Sequence, residues 1–96
     1  MSVFLIVDIE VTNPEGFQEY ANTAPVLMMK EYGAKLISHD SQAVTYEGDW
    51  NPKTMIVWEF PDHETVQRFH NSKEYKEIVG IRRANAITRS VAVSAG

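Results

Sequence analysis

The apolar residues near the amino terminus recur at every second position. They are Val3, Leu5, Val7, Ile9 and Val11. A period of two is that of one face of a β-strand. The residues between them begin apolar at Phe4 and Ile6 and end acidic at Asp8 and Glu10. The pattern therefore predicts a first strand with one apolar face and a second face that is apolar over half its length.

After this strand the apolar spacing changes to three and four residues, which predicts a helix. Asn13 can cap its free amides, Pro14 suits the first helical position, and Gly33 can end it in the left-handed conformation. The inward stripe consists of Phe17, Tyr20, Ala21, Ala24, Met28 and Tyr32. Because Pro25 lacks an N–H and crowds the preceding turn, we expect a kink or short break at Thr23-Ala24.

Two more extended segments follow the helix. The first is predicted from Lys35 to about Glu47, with a bulge or bend at Asp40-Ser41-Gln42. A turn over Gly48-Asp49-Trp50-Asn51-Pro52 leads to the next strand, Thr54 to Phe60, which is apolar on both faces except at Glu59. A turn of this kind displays a charged residue and a large aromatic at the edge of a sheet.

The last third of the chain predicts two short helices and a final strand. Asp62 can cap a helix with Val66, Phe69 and His70 on its inward face, and Ser72 can cap a second. The second helix places Tyr75, Ile78, Val79 and Arg82 on one side. Thr88 to Ser94 forms the closing strand. The order predicts a single α+β domain over residues 1–96, with a ferredoxin-like β-α-β-β-α-β arrangement and an antiparallel sheet.

The predicted sheet has more apolar surface than the helices can cover. Helices on one side leave the other face open, yet the first and third strands are apolar on both faces. An exposed apolar face of this size would favour aggregation, so we expect the same face of a second copy to cover it. The sequence therefore predicts a homodimer that pairs two sheets into an α/β barrel.

Composition excludes several classes of function. Nine Lys and Arg against thirteen Asp and Glu give a formal net charge of −4, which disfavours nucleic acids and anionic membranes. The absence of cysteine excludes disulfides and thiolate chemistry, and no phosphate loop, dinucleotide fingerprint, nucleophile elbow or zinc motif is present. His63 and His70 lie about 10 Å apart along a helix and cannot share a metal. We expect a cytoplasmic protein without metal or cofactor.

Four short motifs carry a resemblance to a known family. They are Gly48-Asp49-Trp50-Asn51-Pro52, Glu59-Phe60-Pro61, Ser72-Lys73-Glu74-Tyr75 and Arg82-Arg83-Ala84. With these in this order, the chain resembles a bacterial family of unknown function within the dimeric α/β-barrel superfamily. The resemblance implies a ferredoxin-like fold and a cavity. That superfamily includes cofactor-free oxygenases, small-ring isomerases and haem-acting enzymes. The chain departs from the family pattern at Gly33-Ala34, where paired glycines are usual, and at His39, where an arginine is usual.

The candidate catalytic residues are His39 and Glu59. If alternation holds, His39 shares a face with Lys35 and Ile37, where it can act as a base inside the barrel, and Arg82 can fix an acidic substrate. If that face points to solvent or to the helices, this pairing fails. Glu59 can orient the histidine or pair with Arg82, or it can lie in water near the strand end.

The candidate ligand-binding residues are Asp8, Asp49, Trp50, Tyr75 and Arg82. Asp8 interrupts an apolar strand pattern. It acts on a ligand if it is buried in the barrel, or it lies near the strand end in water or in an ion pair. Trp50 forms either an apolar wall of the site or a cap on the hydrophobic core. Tyr75 is a core aromatic with its hydroxyl at the edge of the site.

Two functions remain open at the level of sequence. The first is a dimeric protein that binds a small organic or carboxylate compound in a cavity between the sheet and the loop around Trp50, with cofactor-independent catalysis. The alternative is a non-enzymatic dimer that acts as a stress or interaction protein. A ligand-sized polar cavity that contains His39, Asp8, Glu59 or Arg82 favours the first, and a barrel filled by side chains favours the second.

Overall fold

The computed structural model describes residues 1–96 and contains one four-stranded sheet and three helices. The elements are β1 (Val3–Val11), α1 (Pro14–Tyr32), β2 (Lys35–Asp40), β3 (Thr54–Phe60), α2 (His63–His70), α3 (Lys73–Asn85) and β4 (Ala86–Ser94). The strand order is β2-β3-β1-β4, and every neighbouring pair is antiparallel. The predicted α+β, ferredoxin-like architecture is confirmed. None of the helices is long and apolar enough to span a membrane.

The two faces of the sheet have different environments. The helix-facing side carries the odd-numbered residues of β1, which the register places beside Phe60, Trp58 and Ile56 of β3. The core lies between this face and the helices and comprises Val3, Leu5, Met28, Ala34, Trp58, Phe60, Val66, Phe69, Tyr75 and Val79. We call the opposite side the open face. Its apolar residues are Phe4, Ile6, Met55, Val57, Ile87, Val91 and Val93.

Helix α1 begins and ends as its sequence predicts. The Asn13 side chain accepts a hydrogen bond from the Gly16 N–H at 3.3 Å, and Gly33 ends the helix with φ of 63°. The predicted break at Thr23-Ala24 is wrong, because the helix is continuous through Pro25. A proline removes one backbone donor, and the burial of Ala24 and Met28 on either side holds the remaining turns in place.

The caps of the two shorter helices are confirmed. The Asp62 carboxylate accepts a hydrogen bond from the Thr65 N–H at 2.8 Å, and the Ser72 hydroxyl accepts one from the Tyr75 N–H at 3.1 Å. Each bond satisfies an amide that the first turn of a helix leaves free. With only Asn71 and Ser72 between α2 and α3, both helices lie on the same side of the sheet.

Strand β2 is shorter than the sequence predicts. It ends at Asp40, where the carboxylate accepts the Gln42 N–H at 2.7 Å and turns the chain away from the sheet. Residues 41–53 form a loop. The register also shifts between Leu36 and Ser38, so that Ile37 forms a bulge inside the strand. At the other edge of the sheet, β4 begins at Ala86 rather than Thr88.

Candidate functional site

A cavity of about 330 Å³ lies between the sheet and the helices. We call it the helix-side cavity. Helix α1 forms one wall, the helix-facing side of the sheet forms the opposite wall, and α2 and α3 close one side. Most of its lining is apolar, and the polar side chains that line it are Tyr20, His39, His70, Tyr75, Arg82 and Ser90. A mainly apolar cavity with a few polar groups is the usual form of a small-molecule site.

Arg82 is the charged group of this cavity that lacks a partner. Its guanidinium carbon lies 5.9 Å from the centre of the Tyr20 ring, which places the cation over the aromatic face. Its Nε is buried and has no hydrogen-bond partner. No aspartate or glutamate lines the cavity, so the positive charge has no counter-ion there. A buried donor without an acceptor is unfavourable, and an acceptor on a bound molecule would relieve that penalty.

Two tyrosines lie beside Arg82 in this cavity. Burial raises the pKa of the Tyr20 phenol well above its ordinary value of 10.0, and Tyr75 raises it further, whereas the charge of Arg82 acts in the opposite direction. Tyr20 is therefore a neutral phenol at physiological pH and can donate a hydrogen bond. Tyr75 is buried, with 5% of its surface exposed, and packs against Phe69.

His70 presents one free ring nitrogen. Its Nδ1 lies 2.9 Å from the carbonyl oxygen of Val66, and its ring packs edge-on against Tyr75 with the centroids 5.2 Å apart. A carbonyl oxygen only accepts hydrogen bonds, so Nδ1 carries the proton in the neutral ring and Nε2 carries the lone pair. The sequence pattern places His70 on the inward stripe of α2 but gives it no role in binding. Its position beside Phe69 on that stripe is the signal that marks it.

The bulge at Ile37 determines the direction of His39. Without it, His39 would share a face with Lys35. In the structure Lys35 pairs with Glu59 on the open face, whereas His39 pairs with Ile56 on the helix-facing side. The predicted common face of Lys35, Ile37 and His39 is wrong, because the extra residue reverses the alternation. His39 therefore lies outside the space between two paired sheets, and the predicted base inside the barrel is wrong. It lines the helix-side cavity instead, as Arg82 also does.

The other predicted acids lie on the opposite face of the sheet. Glu59 is next to Phe4 and Lys35 in the register, and Asp8 is next to Met55 and Arg89. The predicted pairing of Glu59 with Arg82 is wrong, since the sheet separates them. Side chains of adjacent strand residues project to opposite faces. The alternation of β1 therefore places Asp8 on the face opposite the cavity that holds Arg82.

Asp8 is the centre of a small polar cluster on the open face. Its Oδ2 accepts a hydrogen bond from the Trp50 indole N–H at 2.8 Å and another from the Arg89 guanidinium at 3.1 Å. The hydrogen bond from Trp50 lowers the pKa of Asp8 most, partial burial opposes it, and Arg89 lowers it further. The loop is also held by the Thr45 hydroxyl, which donates to the Trp50 carbonyl. Sequence reasoning missed Arg89, whose place opposite Asp8 depends on the register.

These residues border a second pocket of about 390 Å³ between the sheet and the loop around Trp50. We call it the outer pocket. It is lined by Ile6, Asp8, Asp49, Trp50, Met55, Arg89, Ser90 and Val91. Asp49 and Trp50 therefore border this pocket, whereas Tyr75 and Arg82 line the helix-side cavity. The predicted residues form two groups, separated by the sheet. No group of three or more His, Asp or Glu residues lies close enough to hold a metal ion.

Comparison with models of protein families shows which family the chain belongs to. The family model for a domain of unknown function, DUF1330, matches residues 2–95. The chain belongs to the DUF1330 family. The resemblance to a family of unknown function that the sequence indicates is thereby confirmed. No curated protein sequence matches the chain significantly.

Several solved structures share the fold of this DUF1330 chain. A protein of unknown function from Rhodopseudomonas palustris has a TM-score of 0.80 at 13% identity, and the match covers 96% of this chain and 80% of that one. SnoaB, a cofactor-independent oxygenase from Streptomyces nogalater, has a TM-score of 0.66 at 16% identity and coverage of 99% and 93%. An ethyl tert-butyl ether D (EthD) family protein from Bacillus halodurans has a TM-score of 0.67 at 21% identity, with both chains fully covered. At these identities the likeness shows the fold alone.

Proposed function

We propose that this DUF1330 protein binds a small, largely apolar organic compound in the helix-side cavity, with a carboxylate or carbonyl oxygen of the compound on Arg82. The observation that carries the proposal is the buried Nε of Arg82, which has no partner in a cavity that contains no acidic side chain. A ligand oxygen would supply both the missing acceptor and a compensating partial charge. The phenol groups of Tyr20 and Tyr75 line the same cavity.

The outer pocket is the weaker candidate for this ligand. Its main polar groups already satisfy one another, because Asp8 accepts hydrogen bonds from both Trp50 and Arg89. It also opens onto the apolar open face. A pocket whose donors and acceptors are paired has less to gain from a ligand than a cavity with a free buried donor.

The activity we propose is a cofactor-independent conversion of the bound compound. The cavity offers an imidazole and a cation at one site, which is the minimum for moving a proton and stabilising the resulting anion. SnoaB, which shares the fold, is a cofactor-independent oxygenase. That likeness supports the view that the fold can carry out such chemistry. The reaction of this chain has to be inferred from its own residues. A cavity that holds His39 and Arg82 favours this function over a purely structural dimer.

We further propose that the protein is a homodimer through the open face. Val91 is 56% exposed and Val93 is 39% exposed on the edge strand β4, and both adjoin the apolar residues Phe4 and Ile6 of β1. A contiguous apolar face of this kind is usually covered in solution. Two copies related by a two-fold axis would bury it completely and leave both helix-side cavities on the outside of the sheet pair.

A thermal-shift comparison tests the binding site. We expect 2-naphthoate to raise the melting temperature of the wild type, because its carboxylate binds Arg82 and its rings fill the apolar part of the cavity. The uncharged analogue 2-naphthamide should give a smaller rise. Arg82→Gln should abolish the preference for the carboxylate. The matched control is Arg83→Gln, which removes an exposed arginine from the same helix and should behave as wild type. Equal responses of the two variants would contradict the proposal.

A further inference from the structure

We propose that His70 is the proton acceptor of the helix-side cavity and that its substrate is a carbonyl compound with an acidic C–H bond next to the carbonyl. The oxygen of the resulting enolate is held by Arg82. This inference rests on the proposed function, since it assigns a reaction and a substrate class to the same cavity. It uses two side chains that the family resemblance did not bring together. They are His70, whose Nε2 is free, and Arg82, whose Nε has no hydrogen-bond partner.

The imidazole of His70 is fixed as an acceptor before any substrate binds. Its Nδ1 lies 2.9 Å from the Val66 carbonyl oxygen, which can only accept, so the lone pair of the neutral ring is on Nε2. Edge-on packing against Phe69 and Tyr75, with centroids 5.4 Å and 5.2 Å away, holds the ring in this orientation. A base with a fixed tautomer and a fixed plane needs no rearrangement at the moment of proton transfer.

The cation of Arg82 is placed to stabilise an oxygen anion. It has no carboxylate partner in the cavity, and its Nε is buried without a hydrogen bond. The neighbouring Tyr20 remains a neutral phenol because burial raises its pKa. No carboxylate in the cavity offsets the charge of the guanidinium, so it can stabilise negative charge that develops on a bound molecule.

The reaction step is a proton transfer without a change of oxidation state. His70 Nε2 takes a proton from the carbon next to the carbonyl, and the electron pair of that C–H bond becomes the C=C bond of the enolate. The electrons of the C=O bond move to the oxygen, which hydrogen-bonds to the Arg82 guanidinium. The imidazolium of His70 then returns a proton to the same carbon or to another one, which gives exchange or isomerisation.

His70 is better suited to this role than His39. Both line the cavity, but the side chain of His39 is exposed and makes no hydrogen bond to another residue, so nothing fixes its tautomer. His70 is only partly exposed, and its ring is held by the Val66 carbonyl and by the rings of Phe69 and Tyr75. General bases in enzymes are usually held by a second group in this way.

Hydrogen exchange of α-tetralone in D₂O tests the inference, with loss of the α-proton signal followed by NMR. The wild type should accelerate exchange over buffer, and His70→Asn should reduce the acceleration about a hundredfold. Asparagine can still donate to the Val66 carbonyl, so this variant keeps the structural hydrogen bond and removes only the base. The control is His63→Asn, on the same helix but outside the cavity, which should exchange at the wild-type rate.

The outcomes separate this inference from the proposed function. No binding of α-tetralone, measured by calorimetry, overturns this inference alone if the wild type still responds to 2-naphthoate, and overturns both if it responds to neither. Binding with no accelerated exchange, or with equal acceleration in His70→Asn, overturns the proton-acceptor role alone, as does loss of exchange in His39→Asn instead. ¹⁵N NMR of the wild-type histidines gives a test that does not depend on a variant. A proton on Nε2 rather than Nδ1 of neutral His70 would also overturn it.

Discussion

At the scale of single residues, the two polar centres of this protein differ in how well they are satisfied. Asp8 accepts two side-chain hydrogen bonds and forms an ion pair with Arg89, whereas Arg82 Nε has no partner. The first arrangement stabilises the fold, because each partner compensates the other. The second is the kind that a ligand completes. We therefore expect Asp8 to contribute to stability and Arg82 to the proposed binding.

Asp8 should make the stability of the protein depend on pH. Its folded pKa is lowered from an ordinary value of 3.8, so its contribution is fully present above that value and is lost as the pH falls through the lower folded pKa. The hydrogen bonds from Thr65 lower the pKa of Asp62, so Asp62 changes the stability with pH in the same direction. Asp8→Asn should therefore weaken the decline in unfolding free energy below about pH 4 but not abolish it.

Denaturant unfolding of the wild type and Asp8→Asn between neutral pH and pH 3 measures this pH dependence of the unfolding free energy. Glu10→Gln is the control, since Glu10 is exposed at the end of the same strand and makes no side-chain hydrogen bond. A pH profile for Asp8→Asn that parallels the wild type would show that the hydrogen bonds of Asp8 contribute nothing to stability.

The two tryptophans should respond differently to truncation. Trp50 is 45% exposed and is held mainly by its hydrogen bond to Asp8, whereas Trp58 is 6% exposed within the core. Trp50→Ala should lower the unfolding free energy by about 1–2 kcal/mol. Trp58→Ala should lower it by about 3–5 kcal/mol, because it leaves a cavity in the core. Chemical denaturation monitored by circular dichroism measures both. Similar losses would mean that Trp50 is a core anchor after all.

At the scale of elements, two glycines in or beside helices differ in whether their backbone conformation needs glycine. Gly33 ends α1 with φ of 63°, where an added Cβ would meet only ordinary contact with Pro61, so the penalty for a larger residue is conformational. Gly80 lies within α3 with open space around its Cα and an ordinary helical backbone. Substitution to alanine therefore tests conformation at one position and helix propensity at the other.

Gly33→Ala should lower the unfolding free energy by about 1–2 kcal/mol, because alanine is strained in the left-handed conformation. Gly80→Ala should raise it by about 1 kcal/mol, since alanine has the higher helix propensity. The pair is measured by thermal and denaturant unfolding of the two variants beside the wild type. Destabilisation by Gly80→Ala would indicate that this face of α3 is covered in solution.

The sequence was a good guide to elements where the signal is local. Asn13, Asp62 and Ser72 were identified as caps from their side chains, and each accepts the expected amide hydrogen bond. It failed where the outcome depends on tertiary packing. The helix continues through Pro25, where Ala24 and Met28 are buried, and no local rule predicts that β2 stops at Asp40.

At the scale of the whole molecule, the sheet divides the predicted site. His39, Tyr75 and Arg82 were identified from sequence and line one cavity, whereas Asp8, Asp49 and Trp50 border another. Two-residue periodicity predicts which residues of one strand share a face. It does not predict a bulge such as that at Ile37, and one extra residue is enough to change the face that a side chain occupies.

The open face should hold two copies of the chain together. Sedimentation velocity at micromolar concentration should show a dimer for the wild type. Ile6→Asp should give a monomer or insoluble protein, because it would bury an unpaired charge in the apolar face. Val26→Asp, on the exposed side of α1, is the control and should remain dimeric. A monodisperse wild-type monomer would contradict the assembly we propose.

The alternation of β1 also has a consequence for how the gene tolerates change. Val7 lines the helix-side cavity, and its chain neighbours Ile6 and Asp8 border the outer pocket. If the two faces have the functions proposed above, codons that are adjacent in the gene affect different traits. A complete mutational scan of this strand, scored separately for ligand response and for association, would give two interleaved patterns of sensitivity. Each trait could then drift or adapt by point mutation with little effect on the other.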